Sequence, residues 1–129
     1  MSMKTPLYVP DSHLQLAEQA DGTIRLSLSK HLLGLLGCPT FAGISVGPGA
    51  GLSPGVPFAS VETDKTAYDV ALPFQAVFVA ANPEACANPA VLFDSARGTD
   101  WLCDIRPAPG IDWRNGLLDE GAYASFIAP

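Results

Sequence analysis

The chain has 129 residues, of which 48% are hydrophobic and 16% are charged, and its net charge at pH 7 is −6. That length and hydrophobic content suit one folded domain and exclude a disordered chain, while the acidic balance excludes ordinary nucleic-acid binding, which needs clustered lysines and arginines. The sequence also lacks the roughly 20 consecutive apolar residues of a membrane span and the apolar run of a signal peptide, so we expect a cytoplasmic protein without a membrane segment.

Hydrophobic alternation and turn residues predict the order of elements along the chain. Twelve glycines and twelve prolines occur without a period, which indicates short strands and frequent turns. From the N-terminus, the pattern predicts a lead-in segment over 1–10, strands over 13–17 and 23–28, a helix over 30–36 and a strand over 40–46. An irregular loop over 47–55 follows, then hairpin strands over 56–62 and 68–72 and a strand over 74–80. The rest is predicted as a helical turn from Asn82, a short apolar segment over 91–93, a polar loop over 95–100, a strand over 101–105, a turn over 107–110 and a helix over 117–127.

Residues that favour helix ends support the helical segments. Ser29 is a typical N-cap for the helix over 30–36, and Gly37 is a typical residue just beyond its C-terminus. Asn82 followed by Pro83 opens the helical turn, because proline is well suited to the first helical position. In the C-terminal helix, the i, i+4 spacing predicts a buried stripe formed by Leu118, Ala122 and Phe126 beside Tyr123 and Ile127.

The balance of elements predicts an all-β fold, mainly strands with short helices, arranged as a flattened antiparallel barrel or sandwich with a C-terminal helix. Its core is expected to include Phe41, Phe58, Phe74 and Phe78. A zinc site is not expected, because no CxxC occurs and only two histidines are present. Free thiols are the expectation for Cys38, Cys86 and Cys103.

The feature that points to a function is Lys65, in the polar stretch between the two hairpin strands. A tight hairpin would expose its primary amine to a modifying enzyme. The flanking acidic side chains of Glu62 and Asp64 can serve in recognition by that enzyme, or can simply keep the turn polar and soluble. His13 and His31 have no cysteine or serine partner at a motif spacing, which argues against a nucleophilic triad.

Short motifs occur in a definite order along the chain. They are Asp21-Gly22-Thr23-Ile24-Arg25-Leu26, Leu35-Leu36-Gly37, Glu62 with Lys65 and Asp69, Pro73, Val79 to Asn82, Asn88-Pro89 with Leu92, Gly98-Thr99-Asp100-Trp101-Leu102, Leu117-Leu118-Asp119, and Ala122-Tyr123 with Phe126. In this order and spacing they resemble the H-protein family of the glycine cleavage system, over roughly residues 11–127.

The resemblance implies a lipoyl carrier. On that basis residues 11–129 form an H-protein-like domain with the lipoyl-domain hybrid-motif fold, and lipoate is bound covalently to Lys65. Recognition around the attachment turn would fall to Glu62, Asp64, Thr66 and Asp69. The implied partners are glycine decarboxylase, aminomethyltransferase, dihydrolipoyl dehydrogenase and lipoate-attaching enzymes. The carrier itself would be a monomer without a catalytic site or a metal.

Departures from the family pattern leave two alternatives open. Asp64 stands where the family has a small residue, although Glu-Thr-Asp-Lys is also found in the lipoyl domains of 2-oxoacid dehydrogenases. Ala76 replaces a glycine, the loop over 47–55 replaces acidic residues, and an N-terminal tryptophan is missing. The chain therefore also fits an H-like lipoate carrier in another pathway, such as bacterial sulfur oxidation. The second alternative is an unlipoylated interaction module that has kept the fold and lost the arm.

Overall fold

The computed structural model describes residues 5–94, 96 and 98–129. Residues 1–4 of the lead-in segment, and Ser95 and Arg97 of the loop predicted over 95–100, lie outside the described residues. Strands are formed by Leu7–Tyr8 (β1), Leu14–Glu18 (β2), Ile24–Leu28 (β3), Phe41–Ile44 (β4), Gly51–Leu52 (β5), Ala59–Glu62 (β6), Ala67–Val70 (β7), Ala76–Ala81 (β8) and Cys103–Pro107 (β9). Helices are formed by Lys30–Leu36 (α1), Pro83–Ala87 (α2) and Glu120–Ile127 (α3), with a 3₁₀ helix at Pro89–Phe93.

The strands form two antiparallel sheets. The larger sheet has the strand order β1-β2-β3-β9-β8-β5, and the smaller has the order β4-β6-β7. Alternate residues of a strand point to opposite faces. In β2, Leu14 and Leu16 are fully buried, and they pair with Leu28 and Leu26 of β3. One face of the larger sheet is therefore apolar and lies on the core.

A single hydrophobic cluster joins the two sheets. Phe58, just before β6, meets Phe78 of β8 edge to face, with ring centroids 6.3 Å apart, and both rings are buried. Val61 and Val70 from the smaller sheet belong to the same cluster as Ile105 from the larger one. The two sheets therefore share one core, as the layers of a sandwich do.

The predicted mainly β fold with short helices and a C-terminal helix is confirmed, and of its two proposed architectures the sandwich is the one found. Within the described residues the strands form two sheets and no closed barrel. The larger sheet ends in β1 and β5, which have two residues each. Such short edge strands offer few backbone groups for pairing, so the sheet stays open at both sides.

The prediction that residues 47–55 have no regular structure is wrong at the centre of the segment. Gly51 and Leu52 pair with Val77 and Ala76 of β8, and Leu52 is buried. The strand is specified by its partner, since a two-residue strand with a glycine has little propensity of its own.

The prediction of a buried stripe along the C-terminal helix is also wrong. The helix begins at Glu120 and is capped by Asp119, whose Oδ1 accepts from the Ala122 N–H at 2.8 Å. Of its residues only Tyr123 is buried, whereas Phe126 is 50% exposed. The helix packs beside β1 at the edge of the larger sheet, where Tyr123 is buried, Ile127 is half-buried and the other side chains are exposed.

Phe41 is a further correction, because its ring is 49% exposed although it was expected in the core. A Cβ atom built on Gly43 would lie only 2.7 Å from that ring. The tip of the ring therefore lies over a glycine on the outer face of the smaller sheet. Phe58 and Phe78 are buried as predicted, and Phe74 is half-buried beside Trp113.

The predicted ends of α1 are confirmed. The Ser29 Oγ accepts from the Leu32 N–H at 3.2 Å, and Gly37 follows the helix with φ 94° and ψ −177°. Only glycine adopts that backbone region readily.

No helix in the described part of the chain is long and apolar enough to span a membrane.

The three cysteines lie in two kinds of environment. Cys38 and Cys86 are exposed, whereas Cys103 is fully buried at the start of β9, between β3 and β8. Burial raises the pKa of the Cys103 thiol, and the nearby charge of Asp104 raises it further. This thiol therefore stays protonated at neutral pH.

Candidate attachment site at the β6–β7 turn

Lys65 lies in a tight turn between two short paired strands. The last pair of the ladder is Glu62 with Ala67, and the Thr63 N–H donates to the Thr66 carbonyl at 2.8 Å to close the turn. The hydrophobic arms hold the hairpin in place, because Val61 and Val70 are fully buried at its base. The polar residues at its tip are thereby held out in solvent.

The Lys65 side chain is exposed, and within the described residues it forms no ion pair. Its Cε lies 4.0 Å from where a Cβ of Gly37 would stand. The outer part of the lysine side chain therefore passes close to the residue that ends α1. An exposed amine on a fixed root is accessible to an enzyme that modifies it.

Thr63 connects the turn to α1. Its hydroxyl donates to the Leu36 carbonyl at 2.7 Å, in the last turn of the helix, and its oxygen accepts from the Lys65 backbone N–H at 3.2 Å. Carbonyls at a helix C-terminus have no intrahelical donors, so Leu36 gains a partner from the turn. Below the turn, the N–H and hydroxyl of Thr40 both donate to the Glu62 carbonyl of β6, at 2.7 and 3.2 Å.

The residues predicted to surround the attachment point are all exposed, but they do not form one cluster. Asp64 and Thr66 flank Lys65 in the turn, and the Thr66 hydroxyl makes one long bond, 3.4 Å, to the Ala67 carbonyl. Glu62 and Asp69 lie further down, on the outer face of the smaller sheet at diagonal positions of the ladder. The tip therefore presents Asp64 and Thr66, while the sheet face presents Glu62 and Asp69.

An open groove covers that outer face. Asp69 lies at one side of it, and the exposed ring of Phe41 lies over Gly43 in the floor. Its volume is about 390 Å³, and the other residues that line it are mainly small or apolar: Ile44, Ser45, Pro57, Ala59 and Ser60.

A larger, half-open cavity of about 520 Å³ lies along α1. Gln15 and Ser27, which pair across β2 and β3, belong to its polar part. Lys30 and Asp100 contribute charged groups. Its apolar lining is formed by Leu28, Leu33, Leu92 and Phe93, and Gly34 completes it.

A cluster of polar side chains holds the C-terminal helix close to α1. The Tyr123 hydroxyl is 2.9 Å from His13 Nδ1 and 3.0 Å from Ser29 Oγ. His13 has a positive φ of 61°, and its ring lies 4.9 Å from that of His31. Burial lowers the pKa of His13, and the nearby charge of His31 lowers it further against an opposing effect of Asp11.

The sequence analysis missed the groups that brace the turn, namely the Thr63 side chain and the Leu36 carbonyl. A local pattern could have indicated half of this arrangement, since threonine hydroxyls in turns commonly accept from the backbone two residues further on. The bond from Thr63 to Leu36 spans 27 residues and depends on how the sheet packs against α1. No sequence pattern predicts such a contact.

The described residues contain no group of three or more histidine, cysteine or acidic side chains that could hold a metal ion. Their geometry offers an exposed amine on a braced turn, close to the end of the helix along which the larger cavity lies. Such an arrangement suits covalent modification and presentation of the attached group.

Comparison with known proteins places this geometry in a family context. The sequence model of a family described as "Glycine cleavage H-protein" matches residues 7–129. Among curated relatives, the glycine cleavage system H protein of Chromobacterium violaceum is 34% identical over 117 residues, which cover 91% of this chain and 90% of that one. The H protein of Thiobacillus denitrificans is 33% identical over 127 residues, covering 98% and 96% of the two chains.

A solved structure supports the same comparison at the level of the fold. The crystal structure of a glycine cleavage system H protein from Mycobacterium marinum superposes with a TM-score of 0.76. The alignment covers 93% of this chain and 94% of that one, at 25% sequence identity.

Proposed function

Since the chain belongs to the glycine cleavage H-protein family, we propose that it is a lipoyl-carrying shuttle of the glycine cleavage system, with lipoate attached to Lys65. The observation that carries the proposal is the position of Lys65: an exposed amine at the tip of a hairpin whose base is buried and whose turn is tied to α1. A carrier needs a fixed root and a free amine, and this turn supplies both.

The residues present fit a covalent lipoyl group. Asp64, Lys65 and Thr66 are exposed, so the lysine side chain is open to solvent where the group would be attached. In the attachment step, the neutral amine of Lys65 attacks the carboxyl carbon of an activated lipoyl donor such as an acyl adenylate. A C–N amide bond forms as the C–O bond to phosphate breaks, AMP leaves and the amine gives up a proton.

The cavity along α1 offers a place for an aliphatic arm rooted at Lys65. Leu33, Leu92 and Phe93 would hold its methylene chain, since these side chains form the apolar part of the lining. Gln15 and Ser27 would offer it neutral hydrogen-bonding groups. In this proposal the chain would hold the cofactor and shield part of it from water, and the cofactor would supply the chemistry.

The proposed partners follow from the carrier role. A lipoyl group on Lys65 would supply the dithiolane chemistry by which an aminomethyl group is carried from glycine decarboxylase to aminomethyltransferase, and dihydrolipoyl dehydrogenase would be the partner for its reoxidation. Tethering the carried group to the protein raises its effective concentration at each partner once the carrier docks. We propose no catalytic residue in this chain.

The proposal is tested by lipoylation in a defined mixture. The purified protein is incubated with a lipoate-attaching enzyme, lipoate and ATP, and then measured by intact mass and peptide mapping, with Lys65→Arg as the matched control. We expect one lipoyl adduct, confined to Lys65. The attachment proposal fails if the wild-type chain stays unmodified while an established lipoyl domain is modified in the same mixture.

A second measurement separates the pathway from the attachment. The lipoylated protein is mixed with glycine decarboxylase and glycine, and we expect a further mass increment of one aminomethyl group on the arm. A chain that is lipoylated but never gains that increment would be a carrier for another pathway. A chain that is never lipoylated would instead be an interaction module.

A further inference from the structure

The hydroxyl of Thr63 lies between the backbone of Lys65 and the end of α1. The hydroxyl donates to the Leu36 carbonyl at 2.7 Å and accepts from the Lys65 N–H at 3.2 Å, so it forms a continuous chain of two hydrogen bonds from helix to lysine. Its side chain is half-buried, whereas those of Asp64, Lys65 and Thr66 on the same turn are exposed. Thr63 is the turn residue that faces the protein.

These contacts fix the turn in one conformation. Hydrogen bonds between adjacent strands end at Glu62 and Ala67, and within the turn the Thr63 N–H bond to the Thr66 carbonyl is the remaining backbone link. Without the Thr63 hydroxyl, the Lys65 N–H and the Leu36 carbonyl would each lose a bonding partner. The four residues at the tip could then sample other conformations, because the described residues show no other hydrogen bond between their backbone and the helix.

We propose that Thr63 is a positioning residue for the modification of Lys65, acting through the turn rather than on the lipoyl donor. The proposal rests on the attachment to Lys65 put forward above. An attaching enzyme must place the Lys65 amine against an activated carboxyl carbon, and it binds only the turn conformation that presents the amine correctly. When the competent conformation is a fraction of the population, the apparent affinity falls by that fraction while the bound complex reacts as before.

The experiment measures kcat and KM for lipoylation of Thr63→Val, Thr63→Ser and Thr40→Val beside the wild-type protein. Valine keeps the shape of threonine and removes the hydroxyl, and serine keeps the hydroxyl. Thr40→Val is the matched control, because it removes a hydroxyl that donates to the same hairpin. The Glu62 carbonyl keeps its other bond there, from the Thr40 N–H at 2.7 Å.

We expect Thr63→Val to raise KM about tenfold with kcat unchanged, as the loss of one well-formed hydrogen bond would do. Thr63→Ser should restore the wild-type KM, and Thr40→Val should leave it within about twofold. Amide exchange at Lys65 should quicken in Thr63→Val alone. That readout reports the turn directly and requires no lipoylation.

Three results would overturn the inference while leaving lipoylation intact: a Thr63→Val protein with the KM of Thr40→Val, a serine variant as impaired as the valine variant, or a fall in kcat at unchanged KM. A wild-type chain that is never lipoylated would overturn the proposed function, and with it the role of Thr63 in modification. Lys65 exchange that does not change in Thr63→Val would show that the hydroxyl does not brace the turn.

Discussion

The rings of Tyr8 and Tyr123 lie parallel, with centroids 4.3 Å apart and planes that differ by 2°. Tyr8 belongs to β1, at the edge of the larger sheet, and its backbone exchanges two hydrogen bonds with Leu118, at 2.7 and 2.9 Å. Tyr123 is the buried residue of α3. The first strand and the last helix therefore hold each other in place, through one stacked pair and one short backbone bridge.

Tyr123→Phe tests the polar half of this anchor. Phenylalanine keeps the stack on Tyr8 and removes the hydroxyl that contacts His13 and Ser29. We expect the free energy of unfolding to fall by about 1–2 kcal/mol, measured by urea denaturation. Ser125→Ala removes an exposed hydroxyl from the same helix and should change stability by about 0.5 kcal/mol or less. Equal stability of the two variants would contradict the anchoring role of the Tyr123 hydroxyl.

Two glycines of the α1 region should respond to alanine in opposite directions. Gly37 has φ 94°, a conformation that alanine adopts only under strain, so Gly37→Ala should lower the unfolding free energy by about 1–3 kcal/mol. Gly34 lies inside α1 with no atom within 4 Å of a built Cβ, so Gly34→Ala should raise it by about 0.5–1 kcal/mol. Thermal and urea unfolding of both variants measure whether the free energy of unfolding falls or rises as expected. A stabilised Gly37→Ala would refute the assigned backbone geometry.

Lys65→Arg should abolish lipoylation and leave the fold intact. The side chain is exposed and has no ion-pair partner among the described residues, so its replacement removes little stabilising contact. We expect an unfolding free energy within about 0.5 kcal/mol of the wild-type value. Denaturation curves and intact mass measure the two effects on one sample. A modified arginine variant would place the adduct elsewhere, and an unfolded one would give Lys65 a structural role.

The acid side of the stability profile should depend on His13. Burial and the charge of His31 lower its pKa below the usual 6.5, so the unfolded chain binds this proton more readily than the folded one. The contribution of neutral His13 to the free energy of unfolding is complete above pH 6.5. It is lost as the pH falls from 6.5 towards the pKa that His13 has in the folded protein. His13→Asn removes the titration, and asparagine tolerates the positive φ of this position.

The measurement is urea unfolding of both proteins at pH 7.5 and pH 5.5. We expect the wild-type protein to lose more stability than His13→Asn between these two values. Parallel losses in the two proteins would show that His13 does not contribute to the acid sensitivity.

Local sequence patterns predicted the helix ends and the hairpin turn, which depend on residues a few positions apart. Ser29 and Gly37 bound α1, and Asn82 with Pro83 opens α2, because capping bonds involve residues a few positions apart. The turn that carries Lys65 was predicted for the same reason, since a polar stretch between two β-prone segments specifies a hairpin. Whether the lysine is modified stays a prediction, as does the division of the chain at residue 10.

Features decided by distant partners were predicted poorly. Gly51 and Leu52 form a strand because β8 lies beside them, and Phe41 is exposed because Gly43 leaves space for its ring on the outer face. The helical spacing around Tyr123 indicated a buried stripe, but the helix lies at the sheet edge and covers one residue. Thr63 escaped notice because its partner, Leu36, is distant in the sequence.

The fully buried thiol of Cys103 can serve as a chemical probe for opening of the larger sheet. Cys38 and Cys86 are exposed and should react at once with a thiol-alkylating reagent, whereas Cys103 is protonated and enclosed between β3 and β8. A third label can be added only when the middle of the larger sheet separates. Counting labels by mass over time therefore follows the opening of the native protein, without any denaturant.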